Sequence, residues 1–308
     1  MLCKNQYINL IIKKRSASKL KNYYKEIISD NTDLAIFIGG AIIQDTFAVY
    51  LDLISSLLAE KDVPIIFSGI GIGLQSKITK NIFKKIFYNS NILGVSCRCA
   101  KERFEDYIFH DDLKILSTFD IAVVASDYFL SQAKRSSSII GLGVMYSSRY
   151  PISQIKLFWL DIIRDLNNRN IEWKIFTTGS YKDNVLATEL INAIGGKRDS
   201  LVIPKSVEQL ICAITSFSRV LSFRLHSHII CYSYGIPSVG IKWDGKIKDF
   251  FEKTNKSFDY FDISDNPRII VDRLLQTQSQ EKDIYKVKDI TYKIFDDIVS
   301  NGIYTSLK

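Results

Sequence analysis

From Asp33 onward the chain repeats one pattern: a short β-branched apolar run, a glycine-containing turn, then a stretch whose apolar residues recur at helical spacing. That alternation predicts parallel strands joined by helical crossovers, an α/β fold. In the first half it places strands at Leu34–Ile38, Pro64–Phe67 and Leu93–Ser96, with helices near Asp45–Ala59 and Lys77–Tyr88. A polar, serine-rich stretch, Asp127–Ser138, interrupts the pattern and predicts a domain boundary there, dividing residues 1–135 from 136–308. The second series predicts strands at Ser138–Leu142, Glu172–Phe176, Arg219–Leu221 and Ser238–Ile241 with helices between them. Ser206 with Gln209 fits a capping box opening a helix to about Phe217, and Asn266 before Pro267 fits an N-cap followed by proline at the first helical position. A last helical stretch, about Asp283–Ser300, is placed to pack back on the first domain.

Two halves of this kind predict tandem Rossmann-like domains with a ligand cleft between them, at the carboxyl ends of the strands. A length of 308 residues supports two cores, and 46% hydrophobic with 24% charged residues excludes a disordered chain. The longest apolar stretch, Leu34 to Ile43, is broken by Gly39 and Gly40 and is too short to span a bilayer. Five scattered cysteines without a C-x-x-C pair, and no leader-like N-terminal pattern, lead to the expectation of a reducing, cytoplasmic setting. The net charge of +8 is shared equally between the halves (18 basic minus 14 acidic, and 23 minus 19, +4 each). Locally it concentrates in residues 1–25, where Lys4, Lys13, Lys14, Arg15, Lys19, Lys21 and Lys25 meet no acidic residue. Such a patch is either a solvated helix face or an attachment to an anionic membrane surface or phosphorylated substrate; its sparse aromatic content argues against nucleic acid.

The candidate chemistry lies in the turns. Gly39-Gly40 leads from a strand towards a helix beginning near Asp45, and is either the tight turn that α/β packing needs or an anion site at a helix start. Gly69-x-Gly71-x-Gly73 permits close approach of a ligand to the backbone, but its spacing is not the dinucleotide fingerprint, and there is no P-loop. The sharpest cluster is Ser222-Phe223-Arg224-Leu225-His226-Ser227-His228, opening a short helix ended by Gly235 and Pro237. Arg224 offers a planar fork for carboxylate or phosphate, and His226 exchanges protons near neutral pH. Leu225, Ile229 and Tyr232 form the expected buried stripe of that helix. His226 and His228, two positions apart, do not share a face, so no metal is expected there. Cys97 and Cys99 are expected to be small residues at a strand end.

The run from Val207 to Phe251 resembles the C-terminal signature of the polysaccharide pyruvyl transferase family: a helix, a strand, the R-L-H element at Arg224-Leu225-His226, the turn Gly235-Ile236-Pro237 and an aromatic-x-x-K segment from Trp243 to Lys246. Phe37 to Asp45, with Gly39, Gly40 and Gln44, resembles the family's glycine-rich turn, with Ala41 for its third glycine. Ser68 to Gly73 resembles its G-x-G-I-G-P loop, with Leu74 for proline. Val95 to Arg98 resembles a strand ending in V-R-D, with Cys99 for the aspartate, and Asp120-Ile121-Ala122 its D-x-A. The resemblance spans roughly residues 33–255; the glycine-rich N-terminal loop usual in the family is missing from Leu10 to Lys25.

The resemblance implies a two-domain fold like that of GT-B glycosyltransferases, and transfer of the enolpyruvyl carbons of phosphoenolpyruvate onto a sugar as a cyclic ketal. Phosphoenolpyruvate is then a co-substrate, and no cofactor or metal is expected. Arg224 and His226 are the expected catalytic pair. Arg98, Gly39, Gly40, Gln44, Gly71, Gly73, Leu225 and Lys246 are the expected binding residues, Arg98 as a cationic contact from the opposite domain. The acceptor is a sugar of a cell-surface glycan or of its nucleotide- or lipid-linked precursor, the last bringing the enzyme to the inner membrane face. Two rival readings are a GT-B glycosyltransferase with a nucleotide-sugar donor, and a catalytically silent member of a polysaccharide assembly complex. Against the first, Asp244 is the only acidic residue between Arg219 and Gly245.

Overall fold

The computed structural model describes residues 2–89, 91–99, 102–107, 113, 115–130, 138–196, 198–279 and 281–306. The chain runs α1 (Leu2–Ile27), β1 (Ala35–Ile38), α2 (Ala48–Ala59), β2 (Ile65–Ile70), α3 (Lys77–Phe87), β3 (Ile92–Cys97), α4 (Glu102–Glu105), β4 (Ile115–Ser117), α5 (Ala125–Tyr128) and β5 (Ile140–Gly143). It continues through α6 (Ile152–Asn168), β6 (Trp173–Phe176), α7 (Tyr181–Ala193), β7 (Leu201–Val202), α8 (Val207–Ser216), β8 (Arg219–Ser222), α9 (Leu225–Ser233), β9 (Ser238–Lys242), α10 (Gly245–Lys253), β10 (Tyr260–Asp262), α11 (Pro267–Gln276) and α12 (Glu281–Ser306).

The chain forms two compact units, Met1–Ile121 with Asp289–Lys308, and Ala122–Lys288. The first holds a parallel sheet in the order β1-β2-β3-β4. Helices cover it because its central strand β2 is buried at every position, leaving its residues no polar face to turn to water. Phe67 stacks on Phe37 at 4.8 Å and meets Phe87 at 5.1 Å, so the core continues from the sheet into α3. Residues of α12 belong to this unit: a side chain at Gly94 would meet Ile298 at 2.7 Å. The return of the last helix to the first domain is therefore as expected.

The second unit holds the parallel sheet β10-β9-β8-β5-β6-β7. Its core gathers Leu142, Leu221 and Val239 from three strands around the buried Trp159 of α6 and Phe223. The glycines of β5 are closely packed: a Cβ on Gly141 would fall 2.3 Å from the ring of Phe217 at the end of α8, and one on Gly143 would fall 2.2 Å from Ser222 Oγ of β8. Both predicted caps are present, Ser206 Oγ accepting from the Gln209 amide and Asn266 Oδ1 from that of Arg268. The return arm of the capping box differs, since Gln209 Oε1 accepts from Lys205 rather than Ser206.

The division falls at Ile121/Ala122 instead of 135/136, for a physical reason. The start of the serine-rich stretch lies in a helix, α5, that is tied into the second unit. The Ser126 amide donates to Ser233 Oγ, the Ser126 hydroxyl donates to the Ser233 carbonyl, and Lys288 pairs with Asp127. Residues 131–137 of the predicted boundary lie outside the described residues.

Candidate functional site

All strands of the second sheet are parallel, so the turns after β5, β6, β8 and β9 share its carboxyl edge. At the centre of that edge is the turn from β8 into α9. The Ser222 hydroxyl donates to the Gly143 carbonyl at 3.2 Å and accepts the Arg224 amide at 3.0 Å. This bend leaves Arg224 extended (φ −86°, ψ 122°) as the residue that caps α9.

The Arg224 side chain is one-third exposed and paired with Asp183, a carboxylate at 1% exposure. Nη2 and Nε of Arg224 lie 2.5 and 3.2 Å from Asp183 Oδ2, and Asp183 Oδ1 accepts the Tyr146 amide at 2.8 Å. His226 follows in the first turn of α9 and is exposed. His228 is fully buried: Nε2 is 2.9 Å from the Ser222 carbonyl and the ring meets Phe251 edge-on. Burial pulls its pKa down to about 4, with the Lys256 charge adding to the effect. The two histidines thus part as their spacing predicts. Leu225 is only half-buried, against expectation, because α9 is buried all round from Ser227 onward and its first turn projects from the core.

Lys246 begins α10 beside its cap: Asp244 Oδ1 accepts the Lys246 amide at 2.6 Å, and Lys246 Nζ lies 3.6 Å from Asp244 Oδ2. Two further cations on this edge escaped the sequence reading. Arg149 Nη1 donates to the Trp243 carbonyl at 2.9 Å with its guanidinium over the Trp243 ring, and Lys182 Nζ lies 4.8 Å from the centre of the Tyr146 ring. Neither belongs to a motif. Asp183 also escaped, although one signal for it was present: it shares the helical stripe of Leu186, Ala187 and Leu190, where a carboxylate is buried only with partners.

In the first unit the glycine turns interlock. Gly39 and Gly40 both have positive φ (64° and 69°), which glycine alone adopts without strain. The Gly39 amide donates to Ser68, the Gly71 amide to Gly40 and the Gly73 amide to Ile43, so the two loops are zipped together. What approaches these glycines is the chain itself. A Cβ on Gly71 would fall 2.6 Å from Arg98 Nε, and one on Gly73 would fall 2.7 Å from Gln44 Oε1. Arg98 is ion-paired with the buried Asp120, their side chains 10% and 5% exposed. The helix expected near Asp45 begins at Ala48. The Asp45 amide donates to Leu74, and the Asp45 carboxylate accepts from the Ser76 amide and the Thr79 hydroxyl, so this backbone serves the fold. Cys97 and Cys99 are both buried; hydrogen bonding to Cys97 lowers the Cys99 thiol to about 7. Among the described residues no group of three His, Cys, Asp or Glu is placed to hold a metal ion.

The chain matches the polysaccharide pyruvyl transferase family over residues 3–245. The match takes in the R-L-H element and both glycine turns, stops one residue short of Lys246, and starts well ahead of Asp33. No curated protein matches the sequence. Among solved structures, a Listeria monocytogenes protein assigned as a UDP-N-acetylglucosamine 2-epimerase superposes with a TM-score of 0.63 at 12% identity, over 92% of this chain and 79% of that one. The UDP co-structure of MnaA from S. aureus gives 0.59 at 12% identity, over 90% and 75%. The trehalose-6-phosphate synthase OtsA gives 0.51 at 9%, over 95% and 74%. At such identities the likeness carries the fold alone, two Rossmann-like domains of the GT-B kind. The family match covers far more than half of the sequence, and the chain belongs to the polysaccharide pyruvyl transferase family.

Proposed function

We propose that the protein transfers the enolpyruvyl carbons of phosphoenolpyruvate to a sugar of a cell-surface glycan or its precursor, forming a pyruvate ketal. The observation that carries this reading is Arg224, held as the cap of α9 with His226 exposed in the first turn of that helix. The guanidinium fork and the positive end of the helix suit a donor bearing both carboxylate and phosphate. His226 gives its proton to the donor's methylene carbon, and a sugar hydroxyl adds at the neighbouring carbon. A second hydroxyl then displaces phosphate to close the ketal, the hydroxyl protons passing to the imidazole and to the departing phosphate. Cationic side chains meet the phosphate charge, and we expect turnover to survive chelators.

A nucleotide-sugar donor finds less support. The single acidic residue in the relevant stretch, Asp244, is spent as the cap of α10. The acceptor fits a lipid-linked sugar if the basic α1 attaches the protein to the inner membrane face; among the described residues no helix is long and apolar enough to cross a membrane.

The test is thermal stabilisation by phosphoenolpyruvate against uridine and guanosine nucleotides, followed by phosphate release with candidate acceptors. Bound ligand raises stability with the logarithm of its excess over Kd. Stabilisation by phosphoenolpyruvate with phosphate release is the expected result. Stabilisation by a nucleotide alone would favour a glycosyltransferase, and phosphoenolpyruvate binding without turnover on any acceptor would favour a silent binding subunit.

A further inference from the structure

We infer that Asp183 is the positioning residue for Arg224, holding the guanidinium in the one orientation that offers its outer fork to the donor. The inference rests on the phosphoenolpyruvate reading and adds a residue that reading did not contain. Burying a lone carboxylate is strongly unfavourable, so an aspartate at 1% exposure persists only where its oxygens are satisfied. Here both are. Oδ1 accepts the Tyr146 amide from the turn after β5, and Oδ2 accepts Nη2 and Nε of Arg224 from the turn after β8. Asp183 itself stands in the first turn of α7, where the helix dipole favours its charge. The start of that helix is fixed in turn, the Thr177 hydroxyl at the end of β6 donating to Asn184 Oδ1 at 2.6 Å. One carboxylate therefore ties together three turns of the carboxyl edge.

The orientation follows from guanidinium chemistry. Of its two edges, the side edge formed by Nε and Nη2 is turned to Asp183, while the side chain stays one-third exposed. The end fork formed by Nη1 and Nη2 keeps the geometry that pairs with a carboxylate or phosphate. A free arginine samples many rotamers, an entropy that a ligand would otherwise have to freeze. Asp183 removes that freedom before the donor arrives. It also offsets the formal charge of Arg224 within the pair, so that discrimination depends on fork geometry more than on attraction to any anion.

The test compares Asp183→Asn and Asp183→Glu with the wild type. Asn keeps the shape and the acceptor for Tyr146 but turns donors on Arg224; Glu keeps the charge and shifts it by a methylene. Both should raise the KM for phosphoenolpyruvate, lowering kcat/KM by roughly 10²-fold, the scale of an ångström-sized misplacement, while kcat and the acceptor KM stay nearly unchanged. The thermal shift given by phosphoenolpyruvate should shrink in parallel. In an Arg224→Lys background, Asp183→Asn should add little further loss, because the fork it positions is already gone. Undiminished donor affinity in Asp183→Asn, or an equal added loss in the Arg224→Lys background, overturns the inference. Should Asp183→Asn fail to fold, Asp183→Glu carries the same comparison. A wild type that phosphoenolpyruvate does not stabilise sinks the donor reading itself, a result separate from a wild type that binds the donor and variants that bind it equally well.

Discussion

His228 Nε2 lies 2.9 Å from the carbonyl oxygen of Ser222, and with no second polar partner at Nδ1 among the described residues the ring holds a single proton on Nε2 as donor to that carbonyl. It braces the end of β8 from inside the core, while His226, two residues earlier, faces solvent beside Arg224. General acid catalysis supplies typically 10²–10⁴-fold, so His226→Gln should lower kcat by about that factor with little change in donor affinity. His228→Gln should act mainly on stability. Phosphate release by the two variants decides the assignment, and equal losses or a larger loss at His228 would reverse it.

The same burial sets a pH dependence. The unfolded chain binds a proton on His228 near pH 6.5, whereas the folded chain resists it until about pH 4. The unfolded state therefore holds more protons between these values. Stability is fully present above pH 6.5 and falls with the pH through this window, by about 2 kcal/mol at pH 5 if each pKa unit is worth about 1.4 kcal/mol. His228→Gln should lack this part of the slope. Urea unfolding at pH 7.5 and pH 5 checks it; identical slopes in variant and wild type would refute the account.

Much of this fold was legible in the sequence because parallel strands buried on both faces read as near-continuous apolar runs. Ile65–Ile70 and Ile140–Gly143 are of that kind. Three of the edge strands, Ile115–Ser117, Leu201–Val202 and Tyr260–Asp262, are two or three residues long and only partly buried, too short for any periodicity. Arg224 and His226 were legible because a motif carries them. Asp183 was not, since its partner lies 41 residues away and only the fold brings Tyr146, Asp183 and Arg224 together. The room at Gly71 and Gly73 was legible as room, but that Arg98 and Gln44 fill it depends on side-chain packing across strands.

Arg98 and Asp120 form a pair almost excluded from water. Removing one partner of such a pair leaves an uncompensated buried charge and costs about 3–5 kcal/mol. Arg98→Met should therefore destabilise the protein by about that much, and adding Asp120→Asn should recover most of the loss. Chemical denaturation of the single and double variants measures both. A loss in Arg98→Met confined to donor or acceptor KM, with stability unchanged, would instead make Arg98 a substrate contact.

The exposed face of α1 carries the last prediction. Leu20, Tyr23 and Ile27 are 37%, 56% and 57% exposed and recur at i, i+3 and i+7, a stripe on one side of the helix. Lys14, Arg15, Lys19 and Lys25 are exposed on the same helix, whereas Lys13 is engaged with the Asp45 carbonyl at 2.8 Å. An apolar stripe beside basic residues is the composition of a helix that lies on an anionic bilayer, each cation adding about 1 kcal/mol near the surface. The protein should co-sediment with vesicles containing phosphatidylserine and far less with neutral ones, and salt should weaken the binding because it screens charges separated by more than about 10 Å at 0.1 M. Lys19→Glu with Lys25→Glu should abolish most of the anionic preference, and Tyr23→Ser with Ile27→Ser should weaken what remains at high salt. Turnover of a soluble acceptor should be unchanged in both variants, which separates membrane attachment from chemistry. Binding indifferent to lipid charge and ionic strength would return α1 to an ordinary solvated face, and a concentration-dependent dimer lost in Tyr23→Ser with Ile27→Ser would assign the stripe to a second copy of the chain.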